Sequence, residues 1–148
     1  MSVLCRLTAN GASPGRYNHI VDEGDVYSIV GEDGFTRLVA AFYRRVPTDE
    51  VLGPMYPPDD LAAAERRLRD FLVGRFGGPP RYIEERGHPR LRMRHHRFAI
   101  DQRARGRWLA LMSDALTEAQ LPAEPSTILL GFFETVATML VNRPQPPS

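Results

Sequence analysis

The chain contains no lysine. All 19 of its basic residues are arginine, set against 18 acids for a net charge of +1, so every cation is a planar, permanently charged fork suited to carboxylates. That monotony reads as codon bias more than as a functional device, and the near balance of charge argues against a dedicated nucleic-acid binder. Cysteine is confined to Cys5, which excludes a disulfide framework, a thiolate metal cluster and a Cys-x-x-Cys redox pair, and suits a reducing compartment. Long apolar runs are missing as well. Before Arg6 the apolar run is only Val3-Leu4-Cys5, too short for a secretory signal core. The stretch from Ile128 to Val141 is broken by Glu134 and falls short of the roughly 20 residues a membrane span needs. A soluble, cytoplasmic protein is expected. Internal repeats and alternating strand patterns are absent too, which leaves all-α as the expected fold class.

What is present suffices for one domain: 148 residues, 43% of them hydrophobic, can bury a core and still enclose a flat ligand. Residues 1–24, with Gly11, Pro14, Gly15 and Gly24 and no period, read as a flexible N-terminal extension on which function does not depend. A helical domain is expected over 25–143 and a frayed tail over 144–148. Val26 opens a short helical turn that runs into Gly31-Glu32-Asp33-Gly34. Phe35, Leu38, Val39, Phe42 and Val46 then mark a helix with one apolar stripe, ended by Pro47. Tyr43 stands at the margin of that stripe, about 80° from Phe35, where its ring can be buried while its hydroxyl seeks a partner. Thr48 to Tyr56 is a short turn-and-helix piece. Asp59-Asp60 is expected to cap a long helix whose buried face is Leu61, Ala64, Leu68, Phe71, Leu72 and Phe76, stopped by Gly77-Gly78-Pro79. Pro80 to Gly87 reads as a polar connection. Beyond the next segment two more helices are expected. One runs from about Asp101 to Glu118, with Ala104, Trp108, Leu111, Met112 and Ala115 on one side, and one from about Ser126 to Asn142, with Leu129, Phe132, Phe133, Val136, Met139 and Leu140.

The strongest chemical signal lies between them, in His88-Pro89-Arg90-Leu91-Arg92-Met93-Arg94-His95-His96-Arg97-Phe98. On a helix beginning at Pro89, Leu91, His95 and Phe98 fall within about 60° of one another, while His96 points elsewhere. A neutral imidazole on an apolar stripe can be the single protein ligand to a haem iron, with surrounding arginines paired to the two propionates. Taken alone, such a histidine is more often a hydrogen-bonded core residue. His19, His88 and His96 go to structure or solvent, because no pair of them has the helical spacing that closes a zinc site. Arg90, Arg92, Arg94, Arg97, Arg103, Arg105 and Arg107 offer a rival reading as a nucleic-acid face, but nothing near them resembles a recognition helix.

Phe42-Tyr43, Tyr56-Pro57-Pro58-Asp59-Asp60, Phe71-Leu72, Gly77-Gly78-Pro79, the run from Arg86-Gly87-His88-Pro89 to Met93-Arg94-His95, and Trp108-Leu109 thirteen residues further on together resemble the group II truncated haemoglobins. The resemblance covers roughly residues 26 to 143. It implies a two-on-two helical globin that encloses haem b, with His95 as the proximal ligand and Tyr43, Tyr56 and Trp108 lining the distal side. It implies further that Ala64 stands where larger globins have a distal histidine, and that Leu68, Leu72, Leu91 and Phe98 lie against the haem. Arg67, Tyr82 and Arg94 match positions that face the propionates. The implied function is binding of O2 and other diatomics such as NO and CO, with distal hydrogen bonds slowing O2 release, and no catalytic residue is assigned. The alternative is redox turnover at the same site, as a nitric oxide dioxygenase or a peroxidase-like enzyme. The chain carries no flavin or nicotinamide motif, so any reductase would be a separate partner; a homodimer is left open.

Overall fold

The computed structural model describes residues 21–144. The expected extension up to His19-Ile20, with Cys5, and the tail from Gln145 lie outside the described residues. Among the described residues six α-helices follow one another: α1 (Val26–Arg45), α2 (Leu61–Arg75), α3 (Arg81–Arg86), α4 (Leu91–His95), α5 (Gln102–Ala119) and α6 (Ala123–Leu140), with single 3-10 turns at Glu23–Asp25, Gly53–Met55 and Pro58–Asp60. No strand occurs among the described residues. α1 packs chiefly on α5 and α2, α5 on α6, and α4 on α6. The four long helices thus form two stacked pairs, and the short α3 and α4 run along one side.

Each long helix contributes most of the stripe its sequence announces, but Met139, expected on the apolar side of α6, is exposed. Phe35, Leu38, Val39 and Phe42 of α1, Leu72 and Val73 of α2, Met112 and Ala115 of α5, and Leu129 of α6 are fully buried in one core. α1 is broken at Gly31, whose φ of 76° and ψ of 167° are not helical. A residue with a Cβ is strained there, so glycine permits the short first turn to swing into the main helix. α2 ends just as firmly. Gly77 takes φ of 103°, and a Cβ on it would collide with the Gly24 carbonyl, while the Tyr27 N–H donates to the Phe76 carbonyl at 2.9 Å. The end of α2 is thereby stitched to the start of α1.

Four expectations need correction. Pro80 to Gly87 is not a plain connection, because Arg81–Arg86 forms a helical turn and a half that buries Tyr82 against Phe71 (ring centroids 5.6 Å apart). α4 begins at Leu91 and not at Pro89, because Arg90 adopts a left-handed conformation (φ 47°) with its N–H donated to Nδ1 of His88 at 3.1 Å. Asp60 occupies the N-cap of α2 without a side-chain cap bond; its carboxylate is drawn to Arg67 at 2.7 Å. The last helix runs three residues earlier at its start than expected and stops at Leu140, since Pro122 and Pro125 are compatible with a first turn that needs no N–H there. The residues just ahead of 25 also take part in the fold, with the Val21 N–H 3.3 Å from the Glu124 carboxylate and Glu23 paired with Arg75 at 3.0 Å.

Candidate functional site

The face of α2 expected to be buried is divided. Leu72 and Phe76 are buried in the core, whereas Leu61, Ala64, Leu68 and Phe71 remain half-exposed because Ala64, Leu68 and Phe71 open onto a cavity of about 610 Å³. That size falls among pockets that enclose a drug-sized or cofactor-sized molecule, about 300–1,000 Å³. All twelve residues singled out from the sequence line it: Tyr43, Tyr56, Ala64, Arg67, Leu68, Leu72, Tyr82, Leu91, Arg94, His95, Phe98 and Trp108.

One wall is aromatic and held by the core. Phe42 is fully buried and carries Tyr43 and Trp108 on either side, each with ring centroids 5.2 Å away. Tyr43 meets Tyr56 edge to face at 5.8 Å, and Trp108 meets Phe133 at 5.4 Å. The rings are therefore fixed by packing, while their polar tips are not used by it. Among the described residues the hydroxyls of Tyr43, Tyr56 and Tyr82 and the Trp108 N–H form no hydrogen bond of good geometry with the protein, and none is sealed off; they give onto the cavity. Burial, reinforced by Tyr56, drives the Tyr43 hydroxyl far above the ordinary tyrosine range. Burial pushes Tyr56 up to about 12, opposed by the Trp108 N–H directed toward it. Both tyrosines thus remain protonated donors at neutral pH.

Another wall carries His95, at the C-terminal end of α4. Its Nδ1 lies 2.7 Å from the Leu91 carbonyl, an obligate acceptor, so Nδ1 holds the proton and Nε2 holds the free lone pair. His96 also lines the cavity, but it is exposed, and its Nδ1 faces the Met93 carbonyl at 2.7 Å. Among the described residues no three His, Cys, Asp or Glu side chains gather into a metal-binding set. A bare ion therefore finds no cluster of ligands here among the described residues, whereas an iron carried in a macrocycle would need a single imidazole, which His95 could offer. The donor set and the unpartnered polar tips fit a haem.

The arginines around the cavity have partners of their own within the chain. Arg67 is engaged by Asp60, whose pKa is lowered foremost by that hydrogen bond. Arg94 donates Nε to the Pro89 carbonyl at 2.7 Å and Nη2 to the Arg86 carbonyl at 3.2 Å, so it clasps the turn that leads into α4. Arg86, Arg97 and Arg105 also line the cavity, and Arg86 and Arg97 stack over Tyr82 and Phe98.

Sequence reasoning missed three groups. Phe71 and Phe132 were read as ordinary core stripe, yet both line the cavity, with rings 6.2 Å apart; an excess of bulky apolar residues over what one core needs was the available signal. Asp49 is buried and accepts from the N–H groups of Val51 and Leu52 at 3.1 and 2.9 Å and from Arg107 at 2.6 Å. Burial raises its pKa, but the Leu52 N–H and Arg107 outweigh that and leave it lowered. It anchors the Thr48 to Tyr56 segment, hence Tyr56, to α5. Asn142, read as the last residue of α6, instead bonds the segment that follows His95, and no local pattern announces such a contact.

The fold and this pocket define a small haem globin. The sequence matches the bacterial-like globin family over residues 25–142, and the chain belongs to that family. It is 39% identical over 117 residues to Group 2 truncated hemoglobin YjbI of Bacillus subtilis, a match covering 79% of this chain and 88% of that protein. Among solved structures it is similar to a thermostable hemoglobin from the actinobacterium Thermobifida fusca, with 47% identity, a TM-score of 0.77, and 81% and 98% of the two chains covered. It is also similar to a truncated oxygen-avid haemoglobin from Bacillus subtilis, with 39% identity, a TM-score of 0.75, and 79% and 98% covered. Within the family it stands with the group II truncated haemoglobins, and its two helix pairs are their two-on-two sandwich. Globins bind haem and, through it, oxygen. No helix among the described residues is long and apolar enough to cross a membrane.

Proposed function

We propose that the chain is a haem-b protein that binds O2, and also NO and CO, at ferrous iron, with His95 as the proximal ligand and Tyr43, Tyr56 and Trp108 as donors to the bound diatomic. The haem supplies the ligand-binding iron. The chain supplies an imidazole held by the Leu91 carbonyl, walls from Leu68, Leu72, Leu91 and Phe98, and donors on the aromatic side. The observation that carries this reading is the gathering of the polar tips of Tyr43, Tyr56 and Trp108 on one wall of the cavity, where the Trp108 N–H is directed toward the Tyr56 hydroxyl and the group leaves donors for a small polar ligand. Ala64 offers no donor, so selectivity rests on the aromatic wall. Of the propionate contacts, Tyr82 keeps a free hydroxyl, while Arg67 and Arg94 share their guanidinium groups with Asp60 and with backbone carbonyls. The name of the oxygen-avid Bacillus subtilis relative is in keeping with slow O2 release. Redox turnover with an external reductase uses the same residues and remains the second reading.

The absorption spectrum tests the proposal. Purified protein reconstituted with haem is expected to show a Soret band at one haem per chain that shifts on reduction and again on exposure to O2 or CO. His95→Ala removes or severely loosens the complex, whereas His96→Ala leaves the spectrum nearly unchanged. Equal damage from both replacements overturns the assignment of the ligand.

A further inference from the structure

α4, the carrier of His95, has five residues, far below the length at which a helix holds itself together in water. Its position is set from outside, at both ends. On the leading side the Arg94 clasp fixes the Arg86 to Pro89 turn. On the trailing side the contact comes from Asn142, 47 residues away in sequence from His95. The Asn142 N–H donates to the Ile100 carbonyl at 2.8 Å and its Oδ1 accepts from the Ile100 N–H at 2.9 Å, a closed two-point pair. Its Nδ2 donates to the Phe98 carbonyl at 3.0 Å and, at 3.4 Å, to the carbonyl of His95 itself. The orientation of the amide is settled by its partners, because one end faces an N–H and the other faces two carbonyls.

We infer that Asn142 is a positioning residue for the proximal histidine: the segment just beyond α6 grips the three-residue turn after His95 and so sets where the imidazole Nε2 stands in the cavity. The inference rests on the haem reading above. Three side-chain bonds converge on the stretch from His95 to Ile100, and the ring is fastened to α4 through the Leu91 carbonyl. Any drift of the turn is therefore passed to the ring. The bonds are solvent-exposed, so each stabilises the fold modestly, and their loss is expected to be felt at the axial ligand before it is felt in global stability.

Asn142→Ala removes all three side-chain bonds. Asn142→Asp keeps the acceptor for the Ile100 N–H but sets a carboxylate oxygen against the Phe98 and His95 carbonyls. In the reduced, unliganded holoprotein both variants are expected to shift or broaden the iron–histidine stretching band in resonance Raman spectra. Haem transfer to excess apomyoglobin should be accelerated about tenfold, the equivalent of one to two lost hydrogen bonds, while the far-ultraviolet circular dichroism and the Tm of the haem-free protein stay close to those of the parent. An unchanged band and unchanged haem loss in both variants overturn the inference. So does a fall in haem-free Tm with the band unmoved, which marks a merely structural contact. If the parent takes up no haem, the functional reading itself fails; if the parent does, and His95→Ala loses it while both Asn142 variants match the parent, only the role of Asn142 falls.

Discussion

The two sides of the pocket are held by opposite means. The donor wall is an extension of the hydrophobic core: Tyr43 and Trp108 flank the fully buried Phe42 on helices of 20 and 18 residues. The His95 wall is a five-residue helix whose neighbours Met93 and Arg92 are exposed, fastened by hydrogen bonds from Arg94 and Asn142. Packing fixes a ring in place and leaves its polar tip available. Hydrogen bonding fixes a backbone and leaves it adjustable. On the proposed reading, such a pocket would set packed donors against the ligand on one side and a hydrogen-bonded tether on the other.

The largest expected effect tests the packed side. Phe42→Ala removes the ring that spaces Tyr43 from Trp108, and a fully buried phenylalanine truncated to alanine costs about 3–5 kcal/mol. A urea titration of the haem-free protein should show that loss in the midpoint with little change of slope. A cost below about 1 kcal/mol would mean that the cluster is held by something other than its core.

A smaller effect tests the one buried charge that serves the same wall. Asp49 ties the Tyr56 segment to Arg107, and Asp49→Asn weakens the ion pair while retaining shape, at a cost of about 2–3 kcal/mol. The folded carboxyl has a lowered pKa, so the stability it contributes is present above the unfolded value of about 3.9 and is lost as pH falls through the folded one. The parent should therefore lose stability more steeply below about pH 4 than Asp49→Asn does; parallel acid limbs for the two proteins would show that Asp49 is not the titrating anchor.

The same contrast explains what the sequence made legible. Phe42-Tyr43 and Trp108 sit on long helices whose period places them, and Leu91, His95 and Phe98 all line the cavity even though α4 starts two residues later than expected and ends at His95, before Phe98. Segments held by hydrogen bonds were opaque. The left-handed turn at Arg90 follows from a local contact with His88 that no periodicity encodes, and Arg81–Arg86, with Tyr82 and Ile83 as its apolar members, gives too short a stripe to register as a helix. The grip of Asn142 on Ile100 joins positions 42 residues apart. The resemblance alone places Arg67 and Arg94 near the propionates; in the structure Arg67 pairs with Asp60 and Arg94 bonds two backbone carbonyls while both line the cavity, partners that the sequence pattern does not announce.

Donor loss is the next smaller effect. One hydrogen bond to a bound, partly negative diatomic contributes on the order of 1 kcal/mol, more where the acceptor is charged, and ligand stabilisation is felt mostly in dissociation. Trp108→Phe or Tyr43→Phe should accelerate O2 release by about tenfold in at least one case, measured by stopped-flow displacement with CO. The effects will not add, because the donors share one acceptor. If neither single replacement nor the pair changes the rate, the polar tips do not serve the ligand, and the pocket's donors lose their assigned role.

The smallest expected effect is no effect, and it sharpens the contrast most. A phenol donates only while protonated, and an ordinary tyrosine ionises near pH 10. Here burial holds Tyr56 up to about 12 and Tyr43 higher still. Because both folded values exceed the unfolded one, the stability these groups contribute is whole below about pH 10 and is lost as the unfolded tyrosines ionise first. O2 release should therefore be flat from neutrality to about pH 10. Above that, stability should fall as pH rises toward the raised folded values, so any faster release should be accompanied by a lower Tm. A rate that climbs below pH 10 with the helices intact would place an ionising group at the ligand that the packed wall does not contain, and would shift the control of O2 release to the hydrogen-bonded side of the pocket.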